Sequence, residues 1–391
     1  MIGVVFIILN VQQVRAQVTP QQVVSMMPRG INIGNSLDAP KETAWGNPLI
    51  TESNFTAYKN AGFQCVRVPV TWSTHVSTTA PYTIDKVWLA RVEQVVNWGL
   101  SKGLFIILNA HHEHWLKQDP SPANIVRFEK IWTQIAQRFQ NKSDRLIFEI
   151  LNEPEPMPLN KVNEINSKIL PIIRATNPTR IVLYSGDRWS NSDQLKAANI
   201  PNDPYVIGYY HSYDPYQFGL NGIGTFGATE KAIVKAKFDD IKKWSNANNM
   251  QVILGEFGAS EKGNIIERRK YYAFVVEQAL TNNIPFCAWD MKLIDRSTNT
   301  WSELKDILIN TAGSPNLSLD IKSFIHNEVL TVQLSGEFSN VSLYSLDGKQ
   351  LVAFSTKAVE KDINLSRYKA GVYILRVSTS ESDLTTKVII K

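Results

Sequence analysis

The sequence predicts an α/β fold, a (β/α)8 TIM barrel followed by a small all-β sandwich, from three observations. Eight short apolar runs rich in valine and isoleucine alternate with longer amphipathic stretches over about 290 residues, near the ~250 residues typical of such a barrel. No glycine-rich phosphate loop follows the first run, which disfavours an open doubly wound sheet. Beyond the turn-rich segment 311–316, TAGSPN, the pattern changes to short stretches of alternating polarity.

The eight runs are nearly continuous in apolar character, as strands buried on both faces require. The predicted strands cover residues 30–34, 64–70, 104–110, 145–151, 180–185, 205–211, 251–257 and 285–289. Between them, apolar residues recur every three or four positions, which predicts helices. These helices cover residues 86–101, 122–140, 229–248 and 264–282.

The tail predicts short strands at residues 330–334, 341–345, 350–354, 362–365, 371–377 and 385–390. The dipeptide Asp347-Gly348 between two of them indicates a hairpin turn. The predicted domains are therefore a barrel over residues 17–312 and a sandwich over residues 317–391.

Export is predicted from the first residues, MIGVVFIILNVQQVRAQ. An apolar run followed by Val14-Arg15-Ala16 indicates a signal peptide over residues 1–16. The run is too short to span a membrane, and no other stretch is apolar enough for a membrane span. The net charge is +5 without a basic cluster, so nucleic acid is not an expected partner. A monomer is expected.

The chain has two cysteines, Cys65 and Cys287, which excludes a disulfide scaffold. They fall in the second and eighth predicted strands, with one strand between them. That arrangement places them about 10 Å apart, beyond the ~7 Å that a disulfide can bridge. Both are therefore predicted to be buried free thiols.

Polar and aromatic residues cluster at the carboxyl ends of the predicted strands, where functional residues of such barrels lie. Each residue alone has an ordinary structural explanation, such as an ion-paired arginine or a helix cap. Their convergence on one rim indicates a site. The residues are Arg67, His111, His112, Asn152, Glu153, His211, Tyr213, Glu256 and Trp289.

Two carboxyl groups on one rim are what glycoside hydrolysis requires. One carboxyl is held protonated, with a raised pKa, and gives its proton to the leaving oxygen. The other is ionised and attacks the anomeric carbon, and an arginine and a histidine near it would keep it charged. A metal site at His111-His112 is disfavoured, because no third histidine or cysteine lies at ligand spacing.

The motifs GINIGNSLDA, LNAHHEHW, FEILNEP, YYHSYDP and ILGEFG resemble glycoside hydrolase family 5 over residues 18–311. The resemblance implies a retaining glycosidase without a cofactor or metal, with Glu153 as the acid/base and Glu256 as the nucleophile. It implies supporting roles for Arg67, His111, Asn152, His211 and Tyr213, a sugar platform at Trp289, and further polar contacts from His112 and Asn35.

The resemblance also implies a polysaccharide substrate. GINIGNSLDA is similar to a branch of the family rich in endo-β-1,4-glucanases acting on cellulose and related β-glucans. The alternatives are a β-mannanase, a xyloglucan-specific hydrolase, a non-catalytic glycan-binding protein and a metal-dependent hydrolase. Lys292, beside Trp289, departs from the family pattern. Further candidate platforms are Trp45, Trp72, Trp115 and Trp189.

The tail motifs VSLYSLDGKQL, INLSRYKAGVYILRV and KVIIK resemble the C-terminal sorting domain of the type IX secretion system. This implies the secretion machinery as a partner and a secreted or cell-surface location. A carbohydrate-binding module is the alternative. The tail contains no tryptophan, which disfavours stacking on sugars, although Tyr344, Tyr368 and Tyr373 keep the alternative open.

Overall fold

The structure, a computed structural model, describes residues 18–313, 322–326, 328–378 and 383–390. The predicted signal peptide, residues 1–16, lies outside the described residues. The described residues form two compact units, one up to residue 313 and one from residue 322 onward.

The first unit is a closed barrel of eight parallel strands in sequence order, with the last hydrogen-bonded to the first. All eight predicted strands are confirmed, and each is shorter than predicted. Their bounds are Arg29–Asn32 (β1), Cys65–Val68 (β2), Phe105–Asn109 (β3), Leu146–Glu149 (β4), Val182–Tyr184 (β5), Val206–His211 (β6), Val252–Phe257 (β7) and Phe286–Ala288 (β8).

Helices surround this barrel, and the four that the sequence predicts are present within one residue at each end. Helix α5 begins with Pro122, where the missing N–H needs no partner, and buries one apolar stripe. No described helix is long and apolar enough to cross a membrane. The helices are Pro20–Met26 (α1), Glu52–Ala61 (α2), Lys86–Ser101 (α3), His114–Gln118 (α4), Pro122–Phe139 (α5), Leu159–Arg174 (α6), Ser192–Ala197 (α7), Tyr216–Gly219 (α8), Ala228–Ala247 (α9), Ile265–Thr281 (α10) and Leu304–Asn310 (α11).

The barrel interior is apolar at one end and polar at the other. Alternate strand residues such as Phe105, Ile147 and Ile207 form one buried cluster with Val23 and Val24 of α1, so α1 packs against the amino-terminal end of the barrel. Towards the carboxyl ends of four of these strands, polar and fully buried side chains take the place of the apolar ones. These are Asn32, Arg67, Asn109 and Glu149. Inside the barrel, the buried polar side chains thus lie towards the carboxyl ends of the strands.

Cys65 and Cys287 are both buried free thiols, as predicted. The predicted separation of about 10 Å does not describe their side chains, because the two sulfur atoms lie 4.0 Å apart. Both cysteines are in register with Gly30 of the intervening β1. A Cβ on Gly30 would lie 2.6 Å from the Cys287 sulfur, so the missing side chain lets the sulfurs approach.

The second unit is all-β, as predicted, but its strands are longer than the sequence indicates. The six predicted strands become four, because two pairs of predicted neighbours merge into two long strands, and a fifth strand that the sequence analysis did not predict precedes them. A short hairpin pair in the barrel unit, Ile294–Asp295 (β9) and Thr300–Trp301 (β10), comes before them in the chain. The strands are Lys322–His326 (β11), Val329–Ser345 (β12), Gln350–Asn364 (β13), Gly371–Ser378 (β14) and Asp383–Ile390 (β15).

Strand β12 organises this unit. Its first half pairs with β11 and β13, and its second half pairs with β13 and β14. The register shifts between the halves, near Phe338. Buried residues of both halves, including Val332 and Leu343, belong to one hydrophobic cluster, and the five strands form one sheet. The predicted hairpin is present, with Gly348 in the left-handed conformation (φ 86°) between β12 and β13.

Candidate active site

The predicted site residues lie together at the carboxyl end of the barrel. Arg67 belongs to β2, His211 to β6 and Glu256 to β7. The others lie in the segments that follow β1, β3, β4, β6 and β8, and these are Asn35, His111, His112, Asn152, Glu153, Tyr213 and Trp289. Glu153, His211, Tyr213, Glu256 and Trp289 line one cleft of about 530 Å³.

Arg67 contacts carboxylates on two different strands, Glu149 of β4 and Glu256 of β7. Its guanidinium is fully buried and donates from Nη1 to Glu256 Oε1 at 2.6 Å. Its Nε and Nη2 form a bidentate pair with Glu149, both at 2.6 Å. Nη2 also donates to Asn152 Oδ1 at 2.7 Å, and Nη1 to Asn32 Oδ1 at 2.9 Å. Planar, bidentate pairing of this kind is strong and fixes orientation.

Glu149 is a site residue that the sequence analysis missed. It is the last residue of β4 and is fully buried, and it accepts from Asn109 Nδ2 at 2.9 Å in addition to Arg67. Within FEILNEP it reads as part of an apolar strand. The sequence signal that could have identified Glu149 is a carboxylate inside an otherwise apolar strand. Such a carboxylate needs a positively charged or hydrogen-bonding partner, because an unpaired buried charge is costly.

Glu153 and Glu256 face each other across His211. The ring Nδ1 of His211 lies 2.8 Å from Glu153 Oε1 and 3.7 Å from Glu256 Oε2. One carboxylate oxygen of each glutamate and a nitrogen of His211 all lie within 4.8 Å of one another. Tyr213 donates its hydroxyl to Glu256 Oε2 at 2.8 Å. The backbone at Glu153 is left-handed (φ 38°), an uncommon conformation outside glycine.

The two carboxyls respond differently to this environment. Burial raises the pKa of Glu256 above its ordinary value and outweighs the charges of His211 and Arg67 and the Tyr213 hydrogen bond, all of which lower it. Burial acts in the same direction on Glu153. There the hydrogen bond and charge of His211, with smaller effects of Lys117 and Arg67, outweigh burial and hold the pKa of Glu153 below its ordinary value.

These directions are the reverse of what the sequence analysis requires of an acid and a nucleophile. The reason is the position of His211, whose ring lies closer to Glu153 than to Glu256. Groups this close share their protons and titrate as a pair. Arg67 and Tyr213 nevertheless act in the expected direction, since each lowers the pKa of Glu256.

His111 and His112 are held neutral. Burial, followed by the charge of His112, lowers the pKa of His111 well below its ordinary value. Burial and then Lys117 lower the pKa of His112 to about 4. The Nδ1 atom of His111 lies 3.1 Å from Asn109 Nδ2. Neutral rings offer one donor and one acceptor nitrogen each, so this pair provides hydrogen-bonding groups instead of charge.

Trp289 and Trp189 give the cleft its aromatic surfaces. The ring of Trp289 is nearly parallel to His111, with 6.1 Å between centroids. A Cβ on Gly34 would lie 2.4 Å from this ring, so the ring occupies space left by the glycine. Trp189 is 60% exposed and lines the cleft together with Tyr216.

The remaining candidate sugar platforms differ in exposure: Trp45 is exposed, whereas Trp72 is buried. Trp45 is 48% exposed and lies edge-on to His112, with 5.6 Å between centroids. Trp72 is fully buried and donates to the carbonyl of Asn109, so it is a packing residue. Trp115 packs under Arg127 at 4.1 Å.

Lys292 and Asn35, which the sequence analysis singled out, contact residues other than Glu153 and Glu256. Lys292 has a side chain that is 79% exposed and pairs with Glu261 at 2.6 Å. Asn35 has left-handed backbone (φ 56°), and its carbonyl accepts a 2.9 Å hydrogen bond from Asn47.

Two groups of described residues have the donor set of a metal site. One is the trio Glu153, His211 and Glu256, and the other is Asp38, His111 and His112. The sequence analysis considered only histidine and cysteine as a third ligand, whereas here an aspartate after β1 completes the second group. Its carboxylate already accepts backbone N–H bonds from Asn35 at 3.0 Å and Ser36 at 2.6 Å.

Residues 30–293 match the cellulase family, glycosyl hydrolase family 5. The chain belongs to this family. It is 43% identical over 314 residues to Endoglucanase H of Acetivibrio thermocellus, covering 77% of this chain and 35% of that protein. It is 35% identical to Endoglucanase B of Clostridium cellulovorans, covering 76% of this chain and 77% of that protein. The chain therefore spans about a third of the length of the first of these family members.

Solved structures of the family share the barrel. A hyperthermophilic endo-β-1,4-glucanase crystallised with substrate is 34% identical and superposes with a TM-score of 0.72, over 75% of this chain and 99% of that one. Residues 326–391 match the secretion system C-terminal sorting domain. The protein is thus secreted or carried at the cell surface.

Proposed function

We propose that this family 5 protein is a retaining endo-β-1,4-glucanase, with Glu153 as the acid/base and Glu256 as the nucleophile. The observation that carries the proposal is the separation of the two carboxyls, whose oxygens approach within 4.8 Å. Retaining enzymes hold their carboxyls about 5–5.5 Å apart, whereas inverting enzymes leave about 6.5–9.5 Å for a water. The short separation supports direct attack by one carboxylate on the sugar.

In the first step Glu256 attacks the anomeric carbon while Glu153 gives its proton to the leaving oxygen. Arg67 and Tyr213 bind the two oxygens of Glu256 separately, which aims the carboxylate and favours its ionised form. A sugar bound against Glu153 displaces its contact with His211 and excludes water. Both changes raise the pKa of Glu153 and move the shared proton onto the acid.

In the second step Glu153, now ionised, removes a proton from a water that attacks the glycosyl–Glu256 ester. The hydrogen bond from His211 to Glu153 stabilises that ionised form. The low pKa of Glu153 in the sugar-free cleft therefore suits the basic half of its role. Asn152, which Arg67 orients through Oδ1, has an amide N–H to offer the sugar 2-hydroxyl, a contact that strengthens in the transition state.

Reducing-sugar release from soluble glucan, xyloglucan, mannan and xylan tests the substrate. We expect the highest kcat/KM on β-1,4-glucan. Preference for mannan or xyloglucan would instead place the protein among the β-mannanases or xyloglucan hydrolases. Binding without any release of sugar would indicate a glycan-binding protein. Activity that a chelator abolishes would indicate a metal-dependent hydrolase.

Substitution of each carboxyl tests the assigned roles. We expect Glu153→Gln and Glu256→Gln each to lower kcat by at least about 10³-fold while the thermal midpoint changes little, because the amide keeps the shape. Glu164→Gln, on the surface of α6, is the matched control and keeps wild-type kcat. Near-normal kcat in either site variant would remove that residue from the mechanism.

The tail is proposed to be the signal by which the type IX secretion machinery recognises the chain. The match to a sorting domain over residues 326–391 supports this. In a host that has the type IX machinery, we expect the full chain to be secreted. A chain lacking residues 317–391 should stay inside the cell.

A further inference from the structure

The short hairpin formed by β9 and β10 is not used by the proposed reaction. Arg296 lies in the turn between these two strands. The hairpin is fixed to α2, because the amide of Asn54 donates to the Arg296 carbonyl at 2.9 Å. Trp301 of β10 also packs edge-on to Tyr58 of α2, with 5.8 Å between ring centroids. The backbone that carries Arg296 is therefore held in place.

The side chain of Arg296 is buried, and it contacts two different segments at the carboxyl end of the barrel. Its Nη1 donates to the Ser36 hydroxyl at 2.8 Å, and its Nη2 donates to the Gly34 carbonyl at 3.0 Å. Its Nε lies 3.7 Å from Oδ2 of Asp290. Gly34 and Ser36 belong to the segment after β1, whereas Asp290 belongs to the segment after β8. One guanidinium thus joins these two segments.

The contacts of Arg296 lie on both sides of Trp289, the proposed sugar platform. Asp290 is the next residue in the chain after Trp289 and accepts a 3.0 Å hydrogen bond from the Leu293 N–H. Gly34 is the residue against which the Trp289 ring packs, since a Cβ there would lie 2.4 Å from the ring. The position of the ring therefore depends on how the two segments are held together, and Arg296 holds them.

The presence of an arginine at this place favours a positioning role over a purely stabilising one. A buried guanidinium loses its hydration, and well-packed apolar residues are often as stable as a buried ion pair. The nearest approach to Asp290 is 3.7 Å, which is long for an ion pair that has to offset this loss. What an apolar side chain cannot supply is a planar fork whose N–H groups bind acceptors in fixed directions. Geometry therefore accounts for Arg296 better than stability does.

We propose that Arg296 is a positioning residue of the active site: by holding the segment after β1 against the segment after β8, it fixes the ring of Trp289 in the orientation on which a sugar stacks. The sugar as ligand rests on the proposed function, whereas the placement of the ring does not. Loss of Arg296 should weaken substrate binding and leave the chemical step unchanged, because its partners are Gly34, Ser36 and Asp290 and not the two carboxyls that react.

Two variants and a control test this role through kcat, KM and the thermal midpoint. Arg296→Met removes the fork, and Arg296→Lys keeps the charge without the fork. Arg180→Met is the matched control, because Arg180 is as deeply buried as Arg296 (5% against 6% exposed). It also donates to backbone carbonyls, among them those of Ser143 and Leu146, but does so at the amino-terminal end of β4.

We expect KM on soluble glucan to rise about tenfold in Arg296→Met, the effect of losing one stacking contact, and by a smaller factor in Arg296→Lys. The value of kcat should stay within about twofold of the wild type. Arg180→Met should lower the thermal midpoint and keep the wild-type KM. In a double-mutant cycle, Arg296→Met should have no further effect on KM once Trp289→Ala has removed the ring. Effects that multiply in the double variant would overturn the proposal.

Fluorine NMR of the full chain labelled with 5-fluorotryptophan distinguishes failure of this inference from failure of the proposed function. The chain has ten tryptophans, and the Trp289 signal is the one that Trp289→Phe removes. We expect this signal to shift or broaden in Arg296→Met and to stay in place in Arg180→Met, whichever sugar the protein binds.

An unchanged Trp289 signal in Arg296→Met would overturn the inference. If that variant fails to fold, the same result in Arg296→Lys, together with a wild-type KM, would overturn it. A shifted signal with a wild-type KM would support the placement of the ring by Arg296 and contradict the sugar platform of the proposed function.

Discussion

Arg67 makes two sets of contacts whose loss has different consequences. It pairs with the buried Glu149 and also with Glu256. Arg67→Ala leaves Glu149 with Asn109 as its remaining hydrogen-bond donor. We expect the free energy of unfolding to fall by about 3–5 kcal/mol, the usual cost of breaking a buried pair by removing one partner. Chemical denaturation measures this loss.

Arg67→Lys separates the catalytic contact from the structural one. It keeps a positive charge but cannot reproduce the planar fork that reaches both glutamates. Because Arg67 lowers the pKa of Glu256, a weaker contact raises that pKa and moves the acidic limb of kcat/KM to higher pH. If stability falls and the pH profile keeps its shape, Arg67 only holds the barrel together.

Tyr213→Phe is a milder test of how Glu256 is kept ionised. The hydroxyl donates to Glu256 Oε2, and a hydrogen bond to a charged group contributes about 1.5–3 kcal/mol. We expect the acidic limb to rise by about one pH unit with little loss of stability. The control is Tyr210→Phe, since the Tyr210 hydroxyl is buried without a partner among the described residues. Equal profiles for the two variants would mean that the Tyr213 contact does not matter.

The site could be predicted where residues follow a strand, and not where they lie inside one. Glu153 and His111 follow apolar runs, so their polarity marks the strand ends. Asn32, Asn109 and Glu149 point into the barrel from within the runs, where the surrounding apolar residues conceal them. The pKa of Glu153 could not be predicted either, because it depends on a 2.8 Å contact with His211 that no sequence pattern encodes.

At the scale of elements, the segment that follows β1 makes room for Trp289, the proposed sugar platform after β8. Gly34, just beyond β1, leaves the space that the ring of Trp289 fills, since an added Cβ would lie 2.4 Å from it. We expect Gly34→Ala to tilt the ring and raise KM about tenfold, equivalent to about 1.4 kcal/mol of lost stacking. The pH profile stays unchanged, because the carboxyls are not touched. An unchanged KM would exclude Trp289 as a sugar platform.

The spacing of apolar residues predicted the long helices. For example, α3 lies at the residues that the pattern indicates. The tail was harder. The register of β12 shifts near Phe338 as it passes between its two sets of partners, and the alternation of polar and apolar residues breaks there. The sequence therefore suggested separate short strands where one long strand continues.

For the molecule as a whole, we propose that the two units work independently, with the catalytic unit ending near residue 312. A deletion of residues 317–391 is expected to leave kcat and KM on soluble glucan within about twofold of the full chain, because the described residues that line the cleft all belong to the barrel unit. Activity assays on matched concentrations of both proteins provide the test.

Binding to insoluble cellulose distinguishes the two interpretations of the tail. A sorting domain has no part in adsorption, so the truncated protein should bind as well as the full chain. A marked loss of adsorption would favour a carbohydrate-binding module, with Tyr344, Tyr368 and Tyr373 as its candidate contacts.

The stereochemistry of hydrolysis tests the central claim most directly. Two carboxyls whose oxygens lie within 4.8 Å are closer than the spacing that leaves room for an attacking water, which is why we propose that Glu256 attacks first. Proton NMR of a soluble cello-oligosaccharide during the first minutes of hydrolysis records the anomer released before mutarotation. We predict that the β-anomer accumulates first. Initial release of the α-anomer would contradict double displacement and the roles assigned to Glu153 and Glu256.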